Sequence, residues 1–172
     1  MRTLMMVTAL ALSACGATQS GSGGLLSEGD PAPDFVAQDQ DGEIRQLRAI
    51  RGDRPVVLFF YPRDGTPGCT AEACAFRDAW DRIEATGATV VGVSTDDVAA
   101  HRAFAEEHGL QFTLLADPEG EILEKYRVPS RMGMAARLTY LIDGEGRVAR
   151  VFPDVDPAVH VDEVLAAIAA LE

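Results

Sequence analysis

The hydrophobic pattern divides the chain into short apolar runs, which predict strands, and segments with an apolar residue every three or four positions, which predict helices. The predicted strands outside hairpins are residues 55–61, 89–94 and 112–115. The predicted helices are residues 70–86, 97–108, 119–126 and 159–171. Gly87 and Gly109 follow two of these helices directly, where glycine commonly ends a helix.

Two polar turns predict β-hairpins. Asp41-Gly42 separates residues 35–38 from 44–47, and residues 143–146 separate 138–142 from 148–152. The resulting order of strands and helices predicts an α/β domain with a mixed central sheet and helices on both faces. We find no internal repeat, so we expect one domain over residues 27–172.

The start of the chain has the pattern of a targeting signal. Arg2 precedes an apolar run over residues 4–12, which is too short to span a bilayer. The sequence LSACG then resembles a bacterial lipobox, in which the cysteine, here Cys15, becomes the lipid-bearing N-terminus. We expect a lipoprotein signal peptide over residues 1–14 and a lipidated cysteine with a flexible tether over residues 15–26. The alternative is an ordinary signal peptide in which Cys15 is incidental.

Charge narrows the function classes. The formal net charge is −12, and basic residues form no stripe, which argues against binding of nucleic acid. An acidic surface also repels anionic lipid headgroups, so attachment to a membrane would depend on the lipid at Cys15. His101, His108 and His160 lie on predicted helices without ligand spacing, so we expect no metal site and no cofactor.

The segment YPRDGTPGCTAEAC at residues 61–74 joins a buried strand to a helix. Sites in α/β sheets form beyond the carboxyl ends of strands. Thr66 is placed to be the N-cap, with Pro67 at the first helical position and Cys69 in the first turn. The free N–H groups and the helix dipole favour a thiolate there. A small buried residue at a helix start is the alternative interpretation.

The spacing of the two remaining cysteines argues against a static disulfide. Apolar residues recur along one face of the predicted helix with Cys69, whereas Cys74 lies about 140° away on the polar side. Five residues of ideal helix separate Cα atoms by about 8.6 Å. Disulfides require roughly 4.4–6.8 Å. A redox switch coupled to local unwinding of the helix fits this spacing better than a structural disulfide.

A family resemblance rests on these residues. The spacing Pro62-x₃-Thr66-x₂-Cys69 resembles the peroxiredoxin active-site motif, and TPGCTAEAC is similar to the bacterioferritin-comigratory, or PrxQ, branch. The segments GDPAPDF, VVLFFYP and ARLTYLID, which contains Arg137, also resemble that family. The resemblance implies a thioredoxin-like fold with an extra N-terminal β-hairpin. It also implies a thiol-dependent peroxidase acting on hydrogen peroxide and organic hydroperoxides.

The resemblance assigns the two cysteines successive roles. Cys69 would attack peroxide as a thiolate and become a sulfenic acid. Cys74 would then condense with that acid to form an intramolecular disulfide, which a thioredoxin-like dithiol would reduce. We expect a monomer that works outside the cytoplasm, held to a bacterial membrane through Cys15.

The same resemblance assigns supporting roles. Pro62 would shield the pocket from water, and Thr66 would accept a hydrogen bond from the thiolate side or donate one to the peroxide. Arg137 would stabilise the thiolate and polarise the peroxide. Glu72, one helical turn after Cys69, would orient Arg137 or tune the helix start, or be no more than a favourable first-turn carboxylate.

Three other functions are alternatives. A membrane-anchored thiol–disulfide oxidoreductase would require a Cys-x-x-Cys motif, which is absent. A copper-delivery protein would require closer cysteines and a partner histidine. A non-enzymatic lipoprotein domain with inert cysteines leaves the Thr-Pro-Gly-Cys sequence at residues 66–69 without an explanation.

Overall fold

The computed structural model describes residues 24–171, so the predicted signal peptide, Cys15 and most of the tether lie outside the described residues. The strands are β1 (Val36–Asp39), β2 (Ile44–Gln46), β3 (Val56–Phe60), β4 (Thr89–Ser94), β5 (Thr113–Ala116), β6 (Ser130–Arg131), β7 (Met134–Ala135), β8 (Leu138–Ile142) and β9 (Val148–Phe152). The helices are α1 (Leu47–Arg51), α2 (Pro67–Asp78), α3 (Trp80–Glu84), α4 (Val98–His108), α5 (Glu121–Lys125) and α6 (His160–Ala169).

Seven strands form one mixed sheet in the order β2-β1-β5-β4-β3-β8-β9, and β6 pairs with β7 in a separate hairpin. Strands β3, β4 and β5 run parallel, and β8 pairs antiparallel with β3. The β1–β2 hairpin adds to the edge at β5. The predicted mixed sheet with an N-terminal hairpin is therefore confirmed.

The central strand β3 is buried on both faces because each face is covered by helices. Its side chains alternate between two hydrophobic cores, with Leu58 in one and Phe59 in the other. Helices α1 and α5 contribute to the Leu58 core, and α2, α3, α4 and α6 contribute to the Phe59 core. Gly92 of β4 leaves room for the Phe59 ring, since a Cβ there would lie 2.7 Å from it.

The predicted helix over residues 70–86 is two helices in the structure. Helix α2 begins at Pro67, the first helical position expected from Thr66-Pro67, and the backbone departs from helical geometry at Ala79 (φ −95°, ψ 8°) before α3. The predicted apolar face nevertheless continues across the break, because Phe76 and Ile83 are both fully buried. The Trp80 ring, at the start of α3, stacks on Phe112 with centroids 6.4 Å apart.

Two other differences concern short segments. Helix α1 has five residues, and strands β6 and β7 have two each, so none produces a periodic pattern that the sequence analysis could detect. At the N-terminus, Leu26 is buried and its N–H donates to the Tyr140 hydroxyl at 3.3 Å. The packed domain therefore includes residues that we placed in the tether. No helix within residues 24–171 is long and apolar enough to cross a membrane.

Candidate active site

The site is built where the chain leaves the centre of the sheet. The segment of residues 61–66 follows β3 and is fixed at its start by the Tyr61 N–H, which donates to the Val93 carbonyl at 3.1 Å. Thr66 has the extended backbone of an N-cap (φ −77°, ψ 146°), and Pro67 opens α2. Cys69 consequently lies in the first helical turn, as the sequence predicts.

Cys69 faces inward and has a charged partner. Its side chain is only 1% exposed, and Arg137 donates from Nη2 to Sγ at 3.1 Å. Arg137 immediately precedes β8, and the pairing of Leu138 with Phe60 brings it beside the end of β3. The sulfur therefore has a fixed positive charge and a hydrogen-bond donor directly beside it.

Glu72 holds the other side of the same guanidinium. Arg137 donates from Nη1 to Glu72 Oε2, and Glu72 is 1% exposed. Glu72 Oε1 is buried without a hydrogen-bond partner. Arg137 is thus fixed between a carboxylate and a sulfur, which makes the orienting role of Glu72 the better supported of the interpretations above.

Burial and charge shift the pKa values of Glu72 and Arg137 in opposite directions. Burial raises the pKa of Glu72 to about 7, although the ion pair with Arg137 acts to lower it. For Arg137, burial acts to lower the pKa, but Glu72 and Cys69 outweigh it and the pKa is raised. Arg137 therefore keeps its charge, while the Glu72 carboxyl is divided between two protonation states near neutral pH.

Gly68 allows Arg137 to approach the helix closely. A Cβ at this position would lie 3.3 Å from Arg137 Nη2, a separation tighter than ordinary contact. In the sequence, Gly68 stands out only as part of the motif, and this function was not predicted. The glycine between a helix-opening proline and the cysteine was the signal that could have indicated it.

Cys74 lies on the same intact helix and is not bonded to Cys69. It is partly exposed, whereas Cys69 is buried. The structure confirms the predicted placement of the two side chains, one facing inward and one toward the polar side. A disulfide between them requires part of α2 to unwind.

Comparison with known proteins identifies the family. The AhpC/TSA family model matches residues 28–151. A chloroplastic peroxiredoxin Q from Triticum aestivum is 42% identical over 83% of this chain, which spans 66% of that protein. A putative peroxiredoxin bcp from Coxiella burnetii is 41% identical over 81% of this chain and 97% of its own length. The chain belongs to the AhpC/TSA family.

Solved structures agree with this assignment. Peroxidoxin BcpB from Mycobacterium tuberculosis has a TM-score of 0.80 at 37% identity, covering 84% of this chain and 97% of its own. Peroxiredoxin Q from Xanthomonas campestris has a TM-score of 0.74 at 31% identity, covering 79% and 90%. The protein is a peroxiredoxin of the BCP/PrxQ branch, and its predicted thioredoxin-like fold is confirmed.

Two predicted site residues of this peroxiredoxin, Thr66 and Pro62, occupy their expected positions beside the start of α2. Thr66 is the N-cap residue, but its side chain does not cap α2, because Oγ1 donates to the Arg63 carbonyl at 3.1 Å instead. The hydroxyl hydrogen is thus engaged, and Oγ1 remains free to accept. Pro62 is half-buried in the loop, near the start of the site.

A buried cluster behind this loop was not predicted from the sequence. We expected only that His101 would not bind a metal, and its Nδ1 lies 2.7 Å from Asp64 Oδ2 in the active-site loop of the peroxiredoxin, a contact that the sequence did not indicate. Its position three and four residues before Phe104 and Ala105, on the buried face of α4, was the available signal. Within residues 24–171, no three His, Cys, Asp or Glu side chains are grouped so as to hold a metal ion.

Proposed function

We propose that the protein reduces hydrogen peroxide and organic hydroperoxides at Cys69. The observation that supports this most directly is the buried Sγ in the first turn of α2, 3.1 Å from Arg137 Nη2. The thiolate attacks the terminal peroxide oxygen, the O–O bond breaks, and the leaving oxygen takes a proton to become water or an alcohol. Cys69 is left as a sulfenic acid.

Arg137 and Thr66 act on the two peroxide oxygens in this proposal. Negative charge moves from sulfur to the leaving oxygen, and the donors of Arg137 lie where that charge develops. Thr66 Oγ1 accepts a hydrogen bond from the peroxide O–H, because its own hydrogen is held by the Arg63 carbonyl. Pro62 keeps water from the thiolate.

Cys74 resolves the intermediate. Its sulfur attacks the Cys69 sulfenic acid, forming a disulfide and releasing water, and a thioredoxin-like dithiol then reduces the disulfide. Both cysteines are free and share α2, so the reaction cycle includes unwinding of the start of that helix. All of the side chains involved come from one chain, which is consistent with activity as a monomer.

Intact mass tests these roles. The chain carrying Cys15→Ser retains only Cys69 and Cys74, and one equivalent of hydrogen peroxide is expected to remove two hydrogens from its reduced form. Adding Cys74→Ser leaves an oxidised Cys69, and adding Cys69→Ser abolishes the reaction. A chain that does not react with peroxide contradicts the proposal and favours thiol exchange or an inert domain.

We further propose that Cys15 carries a lipid that anchors the protein to a bacterial membrane, with the domain outside the cytoplasm. The support is the lipobox-like sequence at residues 12–16 and the apolar run before it. Detergent phase partitioning of the protein expressed in bacteria tests this. We expect the wild type in the detergent phase and Cys15→Ser in the aqueous phase; wild type in the aqueous phase contradicts it.

A further inference from the structure

A buried pair of side chains holds the loop that carries Pro62 and Thr66. His101 on α4 has no exposed surface, and its Nδ1 lies 2.7 Å from Asp64 Oδ2. The other carboxylate oxygen, Oδ1, accepts from the Tyr61 hydroxyl at 2.8 Å. Asp64 therefore ties the middle of the active-site loop to a helix that takes no part in the peroxide chemistry.

The partners of His101 determine where its protons are. Nε2 lies 3.1 Å from the Leu115 carbonyl oxygen, which only accepts, so Nε2 carries a hydrogen. The other ring nitrogen, Nδ1, faces the Asp64 carboxylate. Every side-chain polar atom of Tyr61, Asp64 and His101 then has a partner. A buried network satisfied in this way fixes one conformation of the groups it joins.

A second set of contacts fixes the same loop to the end of β4. The Asp64 N–H donates to Asp96 Oδ2 at 2.8 Å, and the Ser94 hydroxyl donates to the same oxygen at 2.7 Å. Arg63 Nε lies 3.8 Å from Asp96 Oδ1. Residues 63 and 64 are thus held from two sides, directly before Thr66 and the start of α2.

Arg137 reaches Cys69 by a different route. It comes from the residue before β8, and its hydrogen bonds within residues 24–171 go to Glu72 and Cys69, both on α2. The two halves of the site therefore have separate supports. Loss of the Asp64–His101 pair moves the side of the site that carries Pro62 and Thr66, whereas the contact between Arg137 and the sulfur remains.

We propose that Asp64 and His101 are positioning residues for peroxide, holding the loop of residues 61–66 so that Pro62 and Thr66 meet the substrate beside Cys69. This proposal rests on the proposed function of Cys69. It predicts that the pair matters for reaction with peroxide and not for the general nucleophilicity of the cysteine.

The test compares two reagents at one sulfur. In the full chain with Cys74→Ser, the rates of Cys69 oxidation by hydrogen peroxide and of its alkylation by iodoacetamide are followed by peptide mass. Asp64→Ala and His101→Ala are each expected to lower the peroxide rate constant at least tenfold and leave the iodoacetamide rate constant within about twofold. The double variant is expected to have a peroxide rate constant no lower than that of the more strongly affected single variant, because the two residues act as one unit.

Two further variants separate positioning from folding. Asp64→Asn keeps the size of the side chain and one acceptor oxygen, so its peroxide rate constant is expected to lie between those of the wild type and Asp64→Ala. Asp39→Ala removes another buried carboxylate, paired with Arg45 in the N-terminal hairpin, and is expected to change neither rate constant. Circular dichroism at the assay temperature verifies that each variant is folded.

The outcomes are distinguishable. A rise in iodoacetamide reactivity in the Asp64 and His101 variants means that Cys69 has become exposed, which assigns the pair to stability alone and overturns the proposal. Unchanged peroxide rates in folded variants beside a reactive wild type overturn the positioning role alone. A wild type that does not react with peroxide overturns the proposed function and the positioning role together.

Discussion

Arg137 uses two of its nitrogen atoms for two different tasks. Nη1 donates to Glu72 and Nη2 donates to Cys69, so the planar guanidinium is aligned by one partner while it serves the other. A lysine ammonium has the same charge but only one nitrogen, and it cannot reproduce this geometry. The chemistry of the site therefore depends on the shape of the guanidinium as well as on its charge.

Arg137→Lys is expected to lower the second-order rate constant for Cys69 oxidation by hydrogen peroxide about 100-fold, the usual effect of removing one oriented donor. Stopped-flow kinetics measure this rate constant directly. Arg150→Lys is the matched control, because Arg150 is mostly exposed and lies 3.7 Å from Glu28 on the surface. A rate constant for Arg137→Lys within threefold of the wild type would contradict the role of the two guanidinium donors.

Most of the site could be predicted from the sequence because its motif is local. Cys69 and Thr66 lie within four residues of each other, and the helix start that they share follows from Thr66-Pro67. Arg137 lies 68 residues from Cys69, and only the family resemblance indicated it. Asp64 and His101 were missed because their contact depends on how α4 packs on the sheet, which hydrophobic spacing does not specify.

In the proposed reaction cycle, helix α2 must satisfy two demands at different times. While it is folded, it holds Cys69 inward beside Arg137. For disulfide formation its first turns must open, because the helix separates the two cysteines by about 8.6 Å between Cα atoms. The break at Ala79 means that α3 can stay packed while α2 opens.

Ala71→Gly is expected to favour this opening. Ala71 is exposed in the first turns of α2, and glycine costs an interior helical position about 0.5–1 kcal/mol. If opening precedes disulfide formation, that step becomes about two- to fivefold faster. Rapid acid quench with intact-mass detection follows the disulfide after a peroxide pulse.

Ala166→Gly is the control for this experiment, since it makes the same change at an exposed position of α6. It is expected to leave disulfide formation unchanged. Equal rates for Ala71→Gly and the wild type would mean that opening does not limit the resolving step.

Long elements were predicted well and short ones were not. The buried runs of β3 and β4 and the periodic segments of α4 and α6 are unambiguous, because burial leaves a strong hydrophobic pattern. Helix α1 and the β6–β7 hairpin owe their structure to tertiary packing and to local turns. Met132 and Gly133, both with positive φ, form the turn of that hairpin.

At the scale of the whole molecule, the two buried groups Glu72 and His160 make the free energy of unfolding change with pH in opposite directions. The pKa of Glu72 is about 7 in the folded protein, against an ordinary value of 4.5, so the folded state binds this proton more tightly than the unfolded chain does. Protonation of Glu72 therefore adds fully to the free energy of unfolding below about pH 4.5, and this contribution is lost as the pH rises through 7. Burial lowers the pKa of His160 below its ordinary 6.5, with Arg137 adding to the shift and Glu163 opposing it. The unfolded chain protonates this histidine more readily, so stability falls as the pH drops below about 6.5.

Single variants are expected to separate the two effects. The wild type loses stability as Glu72 deprotonates, and Glu72→Gln does not. The free energy of unfolding of Glu72→Gln is therefore expected to rise relative to that of the wild type between about pH 5 and 8, by about 3 kcal/mol at most. His160→Gln gains relative to the wild type as the pH falls below about 6.5. Urea unfolding across this range measures both, and curves parallel to that of the wild type would contradict the assignment.

The stacking of Trp80 on Phe112 has a consequence for how the protein can be observed. Trp80 is the only tryptophan in the chain, and it directly follows the break that ends α2. Its indole is part of the core that also contains Cys69. Because the ring and Cys69 share this core, opening of the first turns of α2 is expected to change the packing around the indole even while α3 stays in place. The intrinsic fluorescence of the protein should therefore report its redox state in real time, without an added dye.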